Sequence, residues 1–308
     1  MPSPIVIATV IESSLGALLT GVILYLVLRH GRKAYHYLFA AFLLVCLMWD
    51  LGTFLLMLRN EHPGELEAIG YIIAMPCGFI PALIFHFACE YTGRRIKWAI
   101  ALGWAMTGAL WVLGLAGIYW RIEGVYAYDW GNVFRVAPSV FDSLGMVVWF
   151  GFNLAACWLL YRSATRATSR LERRHRLYIM AGLLVITFAI LKVGVVMGID
   201  VPILLPLGMF LVDIFNAIIG IAIIKERLFD ITLIISKGTL YSILAGLLIF
   251  IYSLTEHVLI TSLGELIGAH SGIVQLVSIA VGIAVLMPLK RRLEHGVDGY
   301  FAQKKLEF

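Results

Sequence analysis

The chain has 308 residues, 61% hydrophobic and 14% charged, with a formal net charge of +5 and a mean hydropathy of +0.92. Soluble domains carry roughly 45–50% apolar and about 25% charged residues, so an ordinary soluble domain is excluded. The basic residues are spread over five loops rather than gathered on one face, which also excludes a nucleic-acid surface as the meaning of the charge.

A bilayer core needs roughly 20 apolar residues per helix. Nine runs of about that length follow one another, and none alternates as a barrel strand does. The expected fold class is therefore all-α: a polytopic membrane helical bundle of about nine spans, arranged seven plus two. The first run is Ile5–Leu28. It has no basic stretch before it and is too long for a cleavable signal peptide. Tyr35–Leu58, Leu66–Tyr91 and Ile96–Trp120 follow. Pro76 and Pro81 are expected to kink or open the third run. The segment Arg121–Ser139 carries Tyr126, Tyr128, Trp130 and Phe134, which fits either a cap over an outward-facing cavity or an interfacial aromatic belt. The fifth run is Val140–Tyr161. After it comes the basic stretch Arg162–Arg176, expected against anionic lipid headgroups. Leu177–Ile199 and Ile203–Ile224 complete the first seven runs, and Pro202 and Pro206 are expected to kink or open the seventh.

The segment Lys225–Ser236, KERLFDITLIIS, is expected to lie along the bilayer surface and to separate the two modules. Gly238–Thr261 and Gly272–Leu289 are runs eight and nine. Beyond them Leu286, Leu289, Leu293, Val297, Tyr300 and Phe301 recur at steps of three and four. That stripe suits a cytoplasmic helix able to pair with a second copy. The expected divisions are residues 1–224, a seven-helix sensory module; 225–289, a linker with two coupling helices; and 290–308, the start of a signalling helix.

Orientation follows from Lys and Arg, which collect in cytoplasmic loops. Twenty of them follow odd-numbered runs. Only Arg59, Arg121 and Arg135 fall on the opposite side. The N-terminus is expected outside and the C-terminus in the cytoplasm.

No nucleotide loop, metal-ligand spacing or nucleophile elbow occurs in the chain. It is read as non-enzymatic, without cofactor or metal. Its four cysteines lie in the apolar runs and read as packing residues. The ionisable residues at membrane depth stand out. At 1.5 Å per residue, Glu12, Asp50, Lys192 and Asp213 all lie roughly 10–15 Å from the outer end of their runs. Intramembrane charges face the protein interior and take partners. Lys192 is therefore expected to pair with Asp213 or Asp50, in a layer that either floors a ligand pocket or only fixes packing. His86 and Glu90 share a helix face near the inner end of run three. Asn153 and Asn216 are candidates for hydrogen bonds between helices.

Three stretches together resemble a known family. PALIFHFACEYTGRRIKW (Pro81–Trp98) is similar to the third-helix pattern of the seven-helix sensory region at the N-terminus of bacterial sensor histidine kinases. AIIGIAIIKERLFDITLIISKGTLYSILAGLLIFIY (Ala217–Tyr252) resembles that family's exit from helix seven. MPLKRRLEHGVDGYFAQKK (Met287–Lys305) resembles its linker towards a cytoplasmic output domain, although that linker is usually richer in Arg after its Phe. The resemblance implies a sensor in the bacterial inner membrane that works as a homodimer and signals through a histidine kinase to a response regulator. It implies signal-relay roles for Arg227, Phe229, Asp230, Pro288 and Val297. Its partners are then membrane lipids and a small or lipid-like ligand, not nucleic acid. A secondary transporter is the rival reading, disfavoured because the intramembrane charges lie almost entirely in the outer half. A retinal protein is a third, resting on Lys192 alone.

Overall fold

The structure is a computed structural model. It describes residues 4–58, 70–71, 75–94, 96–128, 131–199, 201, 203–226 and 228, with isolated helical positions between 276 and 287. Residues 3–232 form one compact unit; the second unit, residues 233–308 with Met1–Pro2, lies almost wholly outside the described residues.

The chain opens with two long helices, α1 (Pro4–His30) and α2 (Ala34–Leu58). They are antiparallel neighbours joined by a short turn, in which the Gly31 N–H donates to the Val27 carbonyl at 2.7 Å. A Cβ at Gly31 would stand 2.4 Å from that carbonyl oxygen, so the close turn needs glycine. The third run is described only in part, with Gly70, Tyr71 and Met75–Cys77 helical. After a helical turn at Met75–Cys77, α3 spans Ile80–Tyr91. At about 1.5 Å per residue, its 12 residues reach less than the roughly 30 Å of a hydrocarbon core. α4 (Lys97–Leu115) then runs back, mostly exposed.

The segment expected as a cap or aromatic belt is a β-hairpin, the one departure from an all-α chain among the described residues. β1 (Ile122–Tyr128) pairs antiparallel with β2 (Gly131–Val136), with an irregularity between Ile122 and Gly124. Ile122, Val133, Phe134 and Val136 are buried. β2 packs on α2, with the Trp49 and Phe134 rings 6.4 Å apart.

α5 (Asp142–Thr165) and α6 (Arg170–Phe188) form the next antiparallel pair. The Arg176 guanidinium closes their turn by donating to the Ser163 carbonyl at 2.7 Å and pairing with Glu172. The sixth run is broken: α6 ends at Phe188, and a separate short helix, α7 (Leu191–Val196), continues it to a turn at Gly198 with φ +90°. α8 (Leu204–Glu226) is the last described helix. Pro81 and Pro206 fall in the first turns of α3 and α8, where the missing N–H costs nothing, so they start helices rather than kink them.

Phe39 and Phe42 of α2, Phe87 of α3 and Phe215 of α8 are almost wholly buried and meet edge-on or tilted, with centroids 5.2–6.3 Å apart. They lock α2, α3 and α8 together. Six segments are long and apolar enough to cross a bilayer, counting α6 and α7 as one. With α3 they make seven helices among the described residues between 4 and 226, again counting α6 and α7 as one. This is a multi-pass helical membrane protein. Run eight and the exit stripe lie outside the described residues, as does run nine but for its isolated helical positions.

Candidate functional site

The polar layer assembles, though not as the sequence suggested. α1 carries Glu12, Gly16 and Thr20 at steps of four, so all three share one face. Asp50 of α2 and Asp213 of α8 both turn towards that face. An added Cβ on Gly16 would lie 3.0 Å from Asp50 Oδ2 and 3.0 Å from Asp213 Oδ1. The two carboxylate oxygens are therefore no farther apart than twice that distance. Glu12 stands beside Asp213, and Thr20 beside Asp50. Asp50 is 1% exposed with the Thr20 hydroxyl alongside it, and none of the four Asp50 and Asp213 carboxylate oxygens is held in a well-formed hydrogen bond.

Lys192 is buried in α7 but forms no direct ion pair among the described residues. Its ammonium lies 3.6 Å from Met209 Sδ and 4.6 Å from the centroid of the Trp49 ring. Among the described residues, then, the expected pair with Asp50 or Asp213 is replaced by a sulfur contact and a cation–π contact. Both carboxylates turn towards α1, whereas Lys192 is held between α2 and α8. One turn further in, Asn216 Nδ2 donates to Thr20 Oγ1 at 2.9 Å, tying α8 to α1. Asn153, buried in α5, has no side-chain hydrogen-bond partner in reach. His86 accepts a hydrogen bond from Trp104 Nε1 at 3.3 Å.

Beside this layer lies a cavity of about 120 Å³. Its walls come from α2, α3, α4, α5, the α6–α7 break and α8, and from the stretch between α4 and β1. Four tryptophans line it: Trp49, Trp111, Trp120 and Trp149. Trp149 Nε1 donates to the Thr187 carbonyl at 3.0 Å, whereas the buried Nε1 atoms of Trp49 and Trp120 have no acceptor. Trp120 has φ +54°, the one non-glycine residue with positive φ among those described. A bulky residue in the left-handed region is strained, and such strain concentrates at ligand sites.

Asp50 and Lys192 line the cavity on one side, Tyr119 and Asp142 on another. Asp142 Oδ2 accepts the Ser139 N–H at 2.8 Å, while Oδ1 is buried without a donor. Burial pushes the Tyr119 phenol up to about 12, and the Asp142 carboxylate adds to the shift. The phenol thus stays neutral at physiological pH.

Of the four residues singled out from the sequence, Asp50 and Lys192 line the cavity; Asp213 and Glu12 stand behind Asp50. Arg227, Phe229, Asp230, Pro288 and Val297 lie outside the described residues. Trp49, Trp111, Trp120, Trp149, Tyr119 and Asp142 were not singled out from the sequence, although Tyr119, Trp120 and Asp142 lie near the ends of successive runs.

No curated protein matches the chain. The family model described as the N-terminal 7TM region of histidine kinase matches residues 13–232. That span holds Gly16, Asp50, Lys192 and Asp213, the cavity and every described helix except the first nine residues of α1, Glu12 among them. The family covers the sensory region of these kinases, not the catalytic domain. By this match over most of its length, the chain belongs to the N-terminal seven-transmembrane regions of histidine kinases.

Proposed function

We propose that the chain is the membrane sensor of a two-component receptor and detects a small or lipid-like ligand in the outer cavity. The observation that carries this reading is the cavity itself: four tryptophans surround a space bordered by Asp50 and Lys192. Most binding pockets combine an apolar, aromatic lining with a few polar groups that fix orientation. Because the walls belong to separate helices, a ligand that prefers one packing shifts the balance between two. In this reading Lys225–Ser236 and runs eight and nine carry the shift to a cytoplasmic kinase domain, the receptor works as a homodimer, and a response regulator takes the phosphoryl group. Twenty basic residues on one side against three on the other support an outside N-terminus; the reading places the protein in the inner membrane.

The test is autophosphorylation of the kinase polypeptide that carries this region, reconstituted in nanodiscs, with Lys192→Met beside wild type. A several-fold change in phosphorylation with unchanged folding is the expected result. Unchanged phosphorylation would make Lys192 a packing residue only. Solute uptake into vesicles by the same protein would replace the sensor with a transporter.

A further inference from the structure

We propose that the outer cavity binds an organic cation, an ammonium group on a small alkyl body. The proposal rests on the sensor reading above for its biological role, and on four observations for its chemistry.

The first is the wall. An ammonium is attracted to the face of an aromatic ring, and indole is the best such face. Trp49, Trp111, Trp120 and Trp149 supply four indoles around one space. The Lys192 ammonium already rests 4.6 Å from the Trp49 centroid, so this wall accommodates the group.

The second is a surplus of carboxyl groups. Asp50 and Asp142 border the cavity, and Asp213 and Glu12 stand behind Asp50. Lys192 is the single cationic side chain in the lining. Asp142 Oδ1 is buried without a donor, and the buried Asp50 oxygens have only the Thr20 hydroxyl beside them, in no well-formed hydrogen bond. An uncompensated carboxylate away from water is costly. A cation entering the cavity reduces that cost, and an anion increases it.

The third is size. An apolar cavity of about 150 Å³ takes a benzene molecule. This one, at about 120 Å³, suits a trimethylammonium-sized head.

The fourth is Trp120. Its left-handed backbone holds the indole in the wall at a strain cost, which a packing role alone does not require.

Lys192 opposes a cationic ligand. This gives the proposal a signed prediction, because removing that ammonium tightens a cation and releases an anion.

The experiment is a tryptophan-fluorescence titration of the 308-residue chain in nanodiscs. The probes are choline, its uncharged isostere 3,3-dimethylbutan-1-ol, and hexanoate. The expected result is saturable quenching by choline, about tenfold weaker with the alcohol and absent with hexanoate. Lys192→Met should tighten choline several-fold, and Asp50→Asn should weaken it about tenfold. Asp142→Asn, which keeps the oxygen that accepts from Ser139, is the second variant if Asp50→Asn does not fold. Equal binding of the alcohol and choline overturns the proposal in favour of a merely apolar cavity. Saturable hexanoate binding that Lys192→Met abolishes overturns it in favour of an anion. No binding of any probe overturns it too, protonation then being the source of neutrality.

The two readings fail separately. Choline that binds but leaves kinase phosphorylation unchanged sinks the sensor reading and keeps the chemistry. Hexanoate that binds and changes phosphorylation does the reverse.

Discussion

At Gly16 two carboxylates from different helices meet a third helix, and the lack of a side chain allows it. Gly16→Ala would place a methyl 3.0 Å from an oxygen of Asp50 and of Asp213, pushing α2 and α8 away from α1. Overpacking of this kind costs about 1–3 kcal/mol, and the loss is read from thermal unfolding in detergent. Tyr119 gives a pH prediction. Its phenol is raised from 10.0 to about 12 in the folded protein. The folded state therefore holds this proton more tightly than the unfolded state does. The associated stability is complete below pH 10 and is lost as pH rises towards 12. Tyr119→Phe should flatten that decline relative to wild type, as measured by unfolding at pH 9 and pH 11.5. At this scale the depth of Glu12, Asp50, Lys192 and Asp213 was legible, because it needs only a helix rise. Their rotation about each helix axis was not, so the sequence pointed to an ion pair where the structure shows a lysine on an indole.

Among the elements, α7 controls the site most directly. The break after Phe188 leaves Lys192 on a six-residue helix against α8. Gly208 makes that contact possible: a Cβ there would lie 2.6 Å from Lys192 Cβ and 3.0 Å from the Ala189 carbonyl oxygen. Gly208→Ala is expected to move Lys192 off Trp49, weaken the fold by about 1–3 kcal/mol and change kinase output. Comparing the unfolding midpoint with phosphorylation separates the two effects. Hydropathy revealed the long helices, since each is continuous and apolar. It did not reveal the break, because Ala189 and Ile190 are as apolar as their neighbours. The hairpin left a clearer trace. Val125 and Ala127 alternate with Tyr126 and Tyr128, and two residues of sequence separate the paired Tyr128 and Gly131. Treating Arg121–Ser139 as one aromatic loop hid that alternation. The prolines followed a rule of position: Pro81 and Pro206 are harmless only because their helices begin there.

For the whole molecule, charge asymmetry makes a direct prediction. In a Cys77→Ser background, Val140→Cys, at a site 89% exposed, should react with a membrane-impermeant thiol reagent added outside intact cells. Ala167→Cys, in the basic turn between α5 and α6, should react only after permeabilisation. The reverse pattern would invert the topology. Membership in the family was legible from the motifs that fall in the matched span, Pro81–Trp98 and the first part of Ala217–Tyr252. The lining of the cavity was not, because it is set only where α2, α3, α4, α5, the α6–α7 break and α8 converge.

One wall of that cavity has a further consequence. α4 is the least buried of the spanning helices, and Trp111 both lines the cavity and is 37% exposed on the helix's outer side. Trp111 thus borders the cavity and also reaches the surface of the described unit, and a sideways doorway beside it would admit solutes dissolved in the bilayer. The effective dose at such a door is the concentration in lipid. Along a series of alkyltrimethylammonium ions, potency referred to bulk water should rise with each added methylene in step with the partition coefficient. Referred to the membrane phase, it should stay flat. Trp111→Ala should speed both arrival and escape of the ligand while changing occupancy at equilibrium far less.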